Sequence, residues 1–383
     1  MSAFQEALRA RGVGPASRPG TAVTFGIAGE PGSSRLRWLV EGLKASLEEA
    51  GHRYVAVPQG DLRLVLNVVD PARPRPFRRK AQATFVVSLT EVQERPEDIL
   101  RAGYPILIRS LSNLLLYLVN GGDSFELHFV TLERGTYPIP FTPGDEAGFF
   151  ARVRERLLPL ACSNLVVNNI FDPDLPEALW NGNETTEALR RAGQRLDALD
   201  LLPAPFPIQE LLPARDFRHV QRLYGIGGLS YGNLSARHEG NTFWMSASGV
   251  NKADLRVIGQ DILLVKGYDP EHNAIRLSVP PGIEPRRVSV DAIEHWLIYT
   301  EHPQVGAIVH VHAWMEGVRS TEINYPCGTL ELGQAVADLV RQAPDPARAV
   351  VGLKNHGLTI TGPDLEDIFN RIEGRILRQV PMS

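Results

Sequence analysis

Val305-Gly306-Ala307-Ile308-Val309-His310-Val311-His312 is an apolar run of strand length that ends in two histidines one residue apart. In an extended strand, side chains two apart project to the same face, so both imidazoles can address one ion, which suits zinc or a similar divalent metal. A third candidate, His356, stands in Lys354-Asn355-His356-Gly357, a turn-like tetrapeptide after the apolar run Ala349-Val-Val-Gly-Leu353. Three protein ligands with one open position describe a catalytic metal site; a structural site is normally closed by four. A His-X-His pair alone also fits two rings that merely pack and hydrogen-bond in a strand. The pair therefore takes its meaning from the rest of the chain.

The chain has 383 residues, 43% hydrophobic and 22% charged, the composition of a soluble globular protein long enough for two domains. Lys and Arg number 40 against 44 Asp and Glu, so the formal charge of -4 gives no electrostatic ground for a nucleic-acid or acidic-membrane partner. The basic run from Pro71 to Lys80 is broken by prolines and reads as a solvated loop. Cys162 and Cys327 offer neither a disulfide framework nor a CxxC pair, which fits a reducing compartment. The first residues lack the apolar stretch of a secretory signal, and the longest apolar region is interrupted by Arg109 and Asn113. A cytoplasmic protein without a membrane span is expected.

The first half reads as α/β. A short strand within Ala22–Gly29 leads through a Gly/Ser turn into an amphipathic helix from about Ser34 to Ala50, stopped by Gly51. Further strands are expected at 54–57, 62–69, 84–89 and 125–132, and 105–119 reads as helical or buried. This is the pattern of a Rossmann-like unit. Gly26-Ile-Ala-Gly29-Glu-Pro-Gly32 resembles a dinucleotide fingerprint only loosely, because Glu30 and Pro31 stand where backbone amides should approach phosphate. We read it as a tight strand-to-helix turn. The alternating prolines of 199–207 suit an extended linker, which divides the chain into a Rossmann-like domain of unassigned role (1–205) and a histidine-bearing domain (206–383). In the second domain the pattern predicts a helix over 216–224, strands at 241–246, 261–265 and 274–277, and a helix over 290–301. After the histidine strand come a helix near 332–341, a strand over 349–353 and a last helix from Asp364.

Five motifs follow one another in order: Gly232-Asn233-Leu234-Ser235-Ala236-Arg237; Ser246-Ala-Ser248-Gly249-Val-Asn251-Lys252; Ser289-Val290-Asp291; His310-Val-His312; and Asn355-His356-Gly357 with Gly362-Pro-Asp-Leu-Glu366. Over about residues 210–375 this series resembles the class II aldolase/adducin family, whose members include fuculose-phosphate aldolase. The resemblance implies a class II aldolase-like α/β/α domain in which His310, His312 and His356 hold Zn2+, or another divalent ion such as Mn2+ or Co2+. It implies that Asp291, where the family usually carries Glu, contacts the metal or moves protons, and that Asn233, Ser248, Gly249 and Ser289 hold a substrate phosphate. It further implies a homo-oligomer, typically a tetramer, acting on a small-molecule sugar or sugar phosphate. The implied reaction is an aldehyde-lyase cleavage of a carbon–carbon bond in a hydroxylated carbonyl compound through an enediolate. The same scaffold serves epimerases, decarboxylases and dehydratases, and adducin-like members are non-catalytic, against which the retention of all three histidines argues.

The residue types suit these roles. Gly, Ser and Asn turns present amides and hydroxyls without bulk, so two of them converging can cradle an anion. Ser289 is expected to cap a helix beginning at Val290, whose amino end favours an acid by ~0.3–1 kcal/mol. Asp291 could sit there for that reason alone, Asn251 could cap a turn, and Lys252 could be a surface charge. His295 is four residues after Asp291 on the same helical face, and we expect it to support the site or the core. His302 reads as a helix-end residue. Three departures from the family stand out: Val290 replaces a second serine, Asp291 is one methylene shorter than Glu, and the segment from His312 to Ile323 is unusually short. Tyr325 or Glu316 could take a proton-transfer role from that shortened loop.

Overall fold

The computed structural model describes residues 22–56, 62–79, 84–122, 124–132, 135–199, 201, 213–214 and 232–383. The helix expected over 216–224, His219, the glycines at 225–228 and most of the proline stretch lie outside them. The chain divides into two compact units at Ser163/Asn164, well before the proline stretch, with residues 164–199 joined to the C-terminal unit. The fold is mixed α/β in both.

In the N-terminal unit, β1 (Thr24–Ala28) runs into α1 (Ser34–Glu49), which begins where the Ser33 hydroxyl accepts a hydrogen bond from the Leu36 amide. Leu36, Leu39, Val40, Leu43 and Leu47 recur at helical spacing and are all buried. Then follow β2 (Arg53–Val55), β3 (Leu64–Val68), β4 (Phe85–Val92), α2 (Ile99–Arg109), β5 (Leu114–Asn120), β6 (Phe125–Thr131), β7 (Thr136–Ile139) and α3 (Glu146–Cys162). They form one sheet in the order β2-β1-β3-β4-β5-β6-β7, parallel from β2 to β5 and antiparallel beyond. The parallel part has a doubly wound order. Gly29 holds φ +80° against Val68, whose carbonyl oxygen would lie 2.4 Å from an added Cβ, so this turn needs glycine for close backbone approach. The 105–119 stretch resolves into two elements, the end of α2 and β5, with Leu111 at φ +53° between them. Six of the seven residues of β5 are buried, so the strand shows no alternation for the eye to catch.

The C-terminal unit is built on a nine-stranded sheet ordered β14-β15-β16-β13-β9-β10-β11-β12-β8. In chain order its elements are β8 (Asn168–Asp172), α4 (Glu184–Ala198), β9 (Gly232–Arg237), β10 (Phe243–Ser246), β11 (Ile262–Asp269), β12 (Ala274–Ser278), α5 (Ala292–Glu301), β13 (Ala307–Val311), β14 (Arg319–Ser320), α6 (Leu330–Arg341), β15 (Val350–Leu353), β16 (Gly357–Gly362) and α7 (Leu365–Ile372). Every residue of β13 and β16 is buried, so both faces of the sheet are covered there. Helices α5 and α6 pack on each other, and α7 packs on α4. Among the described residues no helix is long and apolar enough to cross a membrane.

Candidate metal centre

Strand β13 lies between β9 and β16, antiparallel to both, with His310 opposite Asn233 on one side and Thr359 on the other. Two glycines let these strands crowd the histidines. Gly232, at φ +143°, would put a Cβ 2.0 Å from the His310 carbonyl oxygen, and a Cβ on Gly357 would lie 2.1 Å from that of Val311. His356 comes from the hairpin loop 354–356 between β15 and β16, where Asn355 takes φ +58°, a conformation that Asn tolerates. The hairpin folds His356 back onto β13.

The three imidazoles meet: one ligand atom from each of His310, His312 and His356 lies within 4.8 Å of the others. The rings of His310 and His356 stack at 5.0 Å and 7°, while the His312 ring stands 5.1 and 4.7 Å from them at steep angles. Nε2 of His310 and Nε2 of His356 are 3.1 Å apart. Nitrogens about 2.0–2.1 Å from a tetrahedral centre are separated by about 3.3 Å, so this spacing fits a shared cation. Burial first, then the neighbouring imidazoles His356 and His295, holds His310 well below its ordinary pKa. The ring is thus kept neutral, the state that donates a lone pair to a metal.

Helix α5 is laid over this face of the sheet by a row of polar contacts. Asn233 Nδ2 donates to Asp291 Oδ2 at 2.7 Å, the Thr359 hydroxyl donates to Glu294, and Ser235 Oγ meets both His295 Nδ1 (2.8 Å) and the Tyr299 hydroxyl (2.9 Å). Positions 291, 294, 295 and 299 share one helical face, and their partners share one face of β9 and β16. Several atoms of this row are nevertheless unsatisfied: Asp291 Oδ1, Asn233 Oδ1, Glu294 Oε2, His295 Nε2 and His310 Nδ1 are buried without a hydrogen-bond partner. Orphaned polar atoms clustered in one place fit a site that receives an ion, water or substrate. His295 is fully buried, and burial lowers its pKa to about 4, in line with a supporting role.

Two residues escaped the sequence reading. Glu294 is 2% exposed, and burial followed by the Asp291 charge pushes its carboxyl pKa up, against the opposing pull of the Thr359 hydroxyl and His356. Its signal was present, an acid beside His295 inside the otherwise apolar run Ala292-Ile293-Glu294-His295-Trp296-Leu297-Ile298. Cys327 Sγ lies 3.1 Å from His356 Nε2. No spacing rule connects residues 29 apart, and the sequence carried no signal for it.

Other expectations need correction. Gly232–Arg237 is not a turn but strand β9, so Asn233 reaches the site from the sheet. Ser289 does not cap a helix at Val290; α5 begins at Ala292, and Asp291 takes the N-cap position without capping through its side chain. Ser289 instead lies beside Ser246, its amide donating to the Ser246 carbonyl, and Ser248 is exposed and donates its amide to the exposed Arg287. Gly249 follows at φ +69°. Lys252 is no surface charge: it is 2% exposed, Nζ donates to the Val250 carbonyl at 3.1 Å, and burial lowers its pKa to about 8 against the attraction of Asp291. Asn251 does cap a turn, accepting from the Ala253 amide. His302 closes α5 as expected. Glu316 is exposed in a groove whose lining residues include Arg319, Arg348 and Arg371 but none of the imidazoles, while Tyr325 is half-buried against the core.

Residues 216–316 match the model of the family described as Class II Aldolase and Adducin N-terminal domain. No curated protein matches the chain. Similar solved structures include L-fuculose 1-phosphate aldolase (20% identity, 50% of this chain and 81% of that one, TM-score 0.35). Others are YgbL from Klebsiella pneumoniae (19%, 50% and 86%, 0.31) and an aldolase II superfamily protein from Pseudomonas syringae (18%, 50% and 72%, 0.32). At these TM-scores the likenesses carry no argument about activity. Through residues 216–316, the C-terminal part of this chain is similar to the class II aldolase and adducin N-terminal domain.

Proposed function

We propose that the C-terminal unit is a metal-dependent aldehyde-lyase that cleaves or forms a carbon–carbon bond in a small hydroxylated carbonyl compound, a sugar or sugar phosphate. The observation that carries this reading is the convergence of three imidazoles, one of them held neutral by burial, beside two buried carboxyl groups with unsatisfied oxygens. His310, His312 and His356 would hold the ion, for which zinc is our choice, with manganese or cobalt as substitutes. When bound, such an ion acts as a Lewis acid on a substrate carbonyl. Asp291 keeps one oxygen on Asn233 and turns the other, Oδ1, to the substrate, where it takes up and returns a proton. Glu294, held by Thr359, stays protonated beside it and avoids two adjacent negative charges. Asn233, Ser248, Gly249 and Ser289 bind the polar or phosphorylated end of the substrate. Epimerisation, decarboxylation and dehydration would use the same groups.

We assign the protein to the cytoplasm and to carbohydrate metabolism as a homo-oligomer, a tetramer by family resemblance, with no nucleic-acid or membrane partner. Two measurements test the reading. Purified protein should retain zinc, manganese or cobalt that His310→Ala and His356→Ala lose; equal metal in all three ends the proposal. In a screen of free and phosphorylated aldoses and ketoses, Asp291→Asn should lower kcat by roughly 10²–10⁴, the usual worth of a positioned acid/base. An unchanged rate removes Asp291 from the chemistry.

A further inference from the structure

At the β14–β15 edge of the nine-stranded sheet lies a groove of about 720 Å³, lined by residues of both strands and of the last turns of α6 and α7. Its size is that of a small-molecule site. The floor is apolar: Val351 and Ile372 are buried there, and Leu339 and Val350 are packed against the core. Around it stand four guanidinium groups, those of Arg319, Arg348, Arg371 and Arg375, against two carboxylates, those of Glu316 and Asp345.

Two of the four arginines have structural work. Arg348 faces Asp345 at 3.6 Å and donates to Asp367 at 3.0 Å, while Arg371 donates to Asp367 at 2.8 Å and to the carbonyls of Thr361 and Arg348. They tie the turn before β15 to α7, and the end of a helix favours the charge of Arg371. The other two are different. Among the described residues, Arg319 donates only to the Gln342 side chain, at 2.9 Å, and the Arg375 side chain has no hydrogen bond or ion pair. Arg319 comes from a strand whose backbone is fixed beside the floor: it stands opposite Val351 in the ladder, and the Thr321 amide donates to the Gly352 carbonyl.

We propose that this groove binds a small organic phosphate, with the phosphate on Arg319 and Arg375 and an apolar body on Leu339, Val350 and Val351. A phosphate monoester carries about -1.5 to -2 charges at pH 7, which matches two guanidinium groups that have no carboxylate partner. Its oxygens also accept the paired donors of a guanidinium fork. Glu316 and Asp345 repel a second anionic group, so the ligand carries one. None of the imidazoles lines the groove, so its occupant is a second ligand, and its binding requires no metal ion.

The test is equilibrium dialysis of the full chain, stripped of metal with a chelator, against phenyl phosphate in 150 mM salt, with phenol as the control for the apolar body alone. Wild type should bind phenyl phosphate saturably, with a Kd on the order of 1 mM or tighter, and should not bind phenol. Arg319→Gln and Arg375→Gln, both at exposed positions, should keep the wild-type urea midpoint and each weaken that binding roughly tenfold or more, the worth of a hydrogen bond to a charged group. Ser289→Ala should leave it unchanged. Wild type without saturable binding, or arginine variants that bind as wild type does, overturns the groove. Binding lost in Ser289→Ala but kept in the arginine variants places the probe at the phosphate position proposed above, which overturns the groove and supports that position.

Discussion

Lys252→Met should make the protein more stable at neutral pH, although it deletes a hydrogen bond. The amino group is 2% exposed, and burial brings its pKa from 10.5 down to about 8. At about 1.36 kcal/mol per pH unit, that gap corresponds to roughly 3 kcal/mol of unfavourable free energy in the folded state. The bond from Nζ to the Val250 carbonyl, worth about 1 kcal/mol net, is forfeited by the variant. Methionine fills a similar volume, so the expected gain at pH 7 is about 2 kcal/mol. The sign of the pH dependence follows from proton binding. Between pH 8 and 10.5 the unfolded chain keeps a proton that the folded chain has released, so wild-type stability rises with pH. Urea unfolding followed by tryptophan fluorescence at pH 7, 8, 9 and 10 should show the variant ahead at pH 7 and its lead closing towards pH 10. A variant less stable than wild type at pH 7, or a difference that stays flat across this window, would refute the reasoning.

Gly193→Ala should destabilise. Its Cβ would stand 2.1 Å from the Lys252 carbonyl oxygen, and the overpacking cost of about 1–3 kcal/mol exceeds the ~1 kcal/mol gained in helix propensity; a raised urea midpoint would contradict this. Thr359→Val removes the donor to Glu294, costing about 1–3 kcal/mol, and lifts the Glu294 pKa further. Because that group binds its proton more tightly in the folded state, stability falls as pH rises above 4.5, and in the variant the fall should continue to higher pH. Unfolding free energies measured from pH 4 to 9 check both the offset and the slope.

What the sequence made legible was local. His310 and His312 could be paired because strand periodicity is two, and His356 could be joined to them because Asn355-His356-Gly357 reads as a turn between apolar runs. Local signals also misled. Gly232-Asn233 has turn composition, yet the glycine is there to let β9 approach the His310 carbonyl. Lys252, after Asn251, looks solvated until α4 is laid across it: Arg190 donates to the carbonyls of Leu255 and Arg256, and Gly193 presses on Lys252 itself. Ser289 has the composition of a cap, but the helix starts at Ala292, two residues later than the apolar Val290 suggests. Glu294 is hidden by its neighbour: an acid in the first turn of a helix is common, and Asp291, three residues earlier, already meets the need for one at the site. Cys327 depended on tertiary contact alone, and no period or spacing could have brought it to His356.

The assignment of residues 164–199 to the C-terminal unit bears on how the protein is born and how it can be cut. Strand β8 pairs in parallel with β12, and Arg276 reaches Asp172 across 104 positions of chain. A ribosome therefore releases β8 and α4 long before the sheet that receives them exists, and such distant pairing makes folding slow. A shortened gene starting at the proline stretch would omit both elements. Its product would bare the β12 edge and uncover Lys252, and would aggregate rather than report on the histidines.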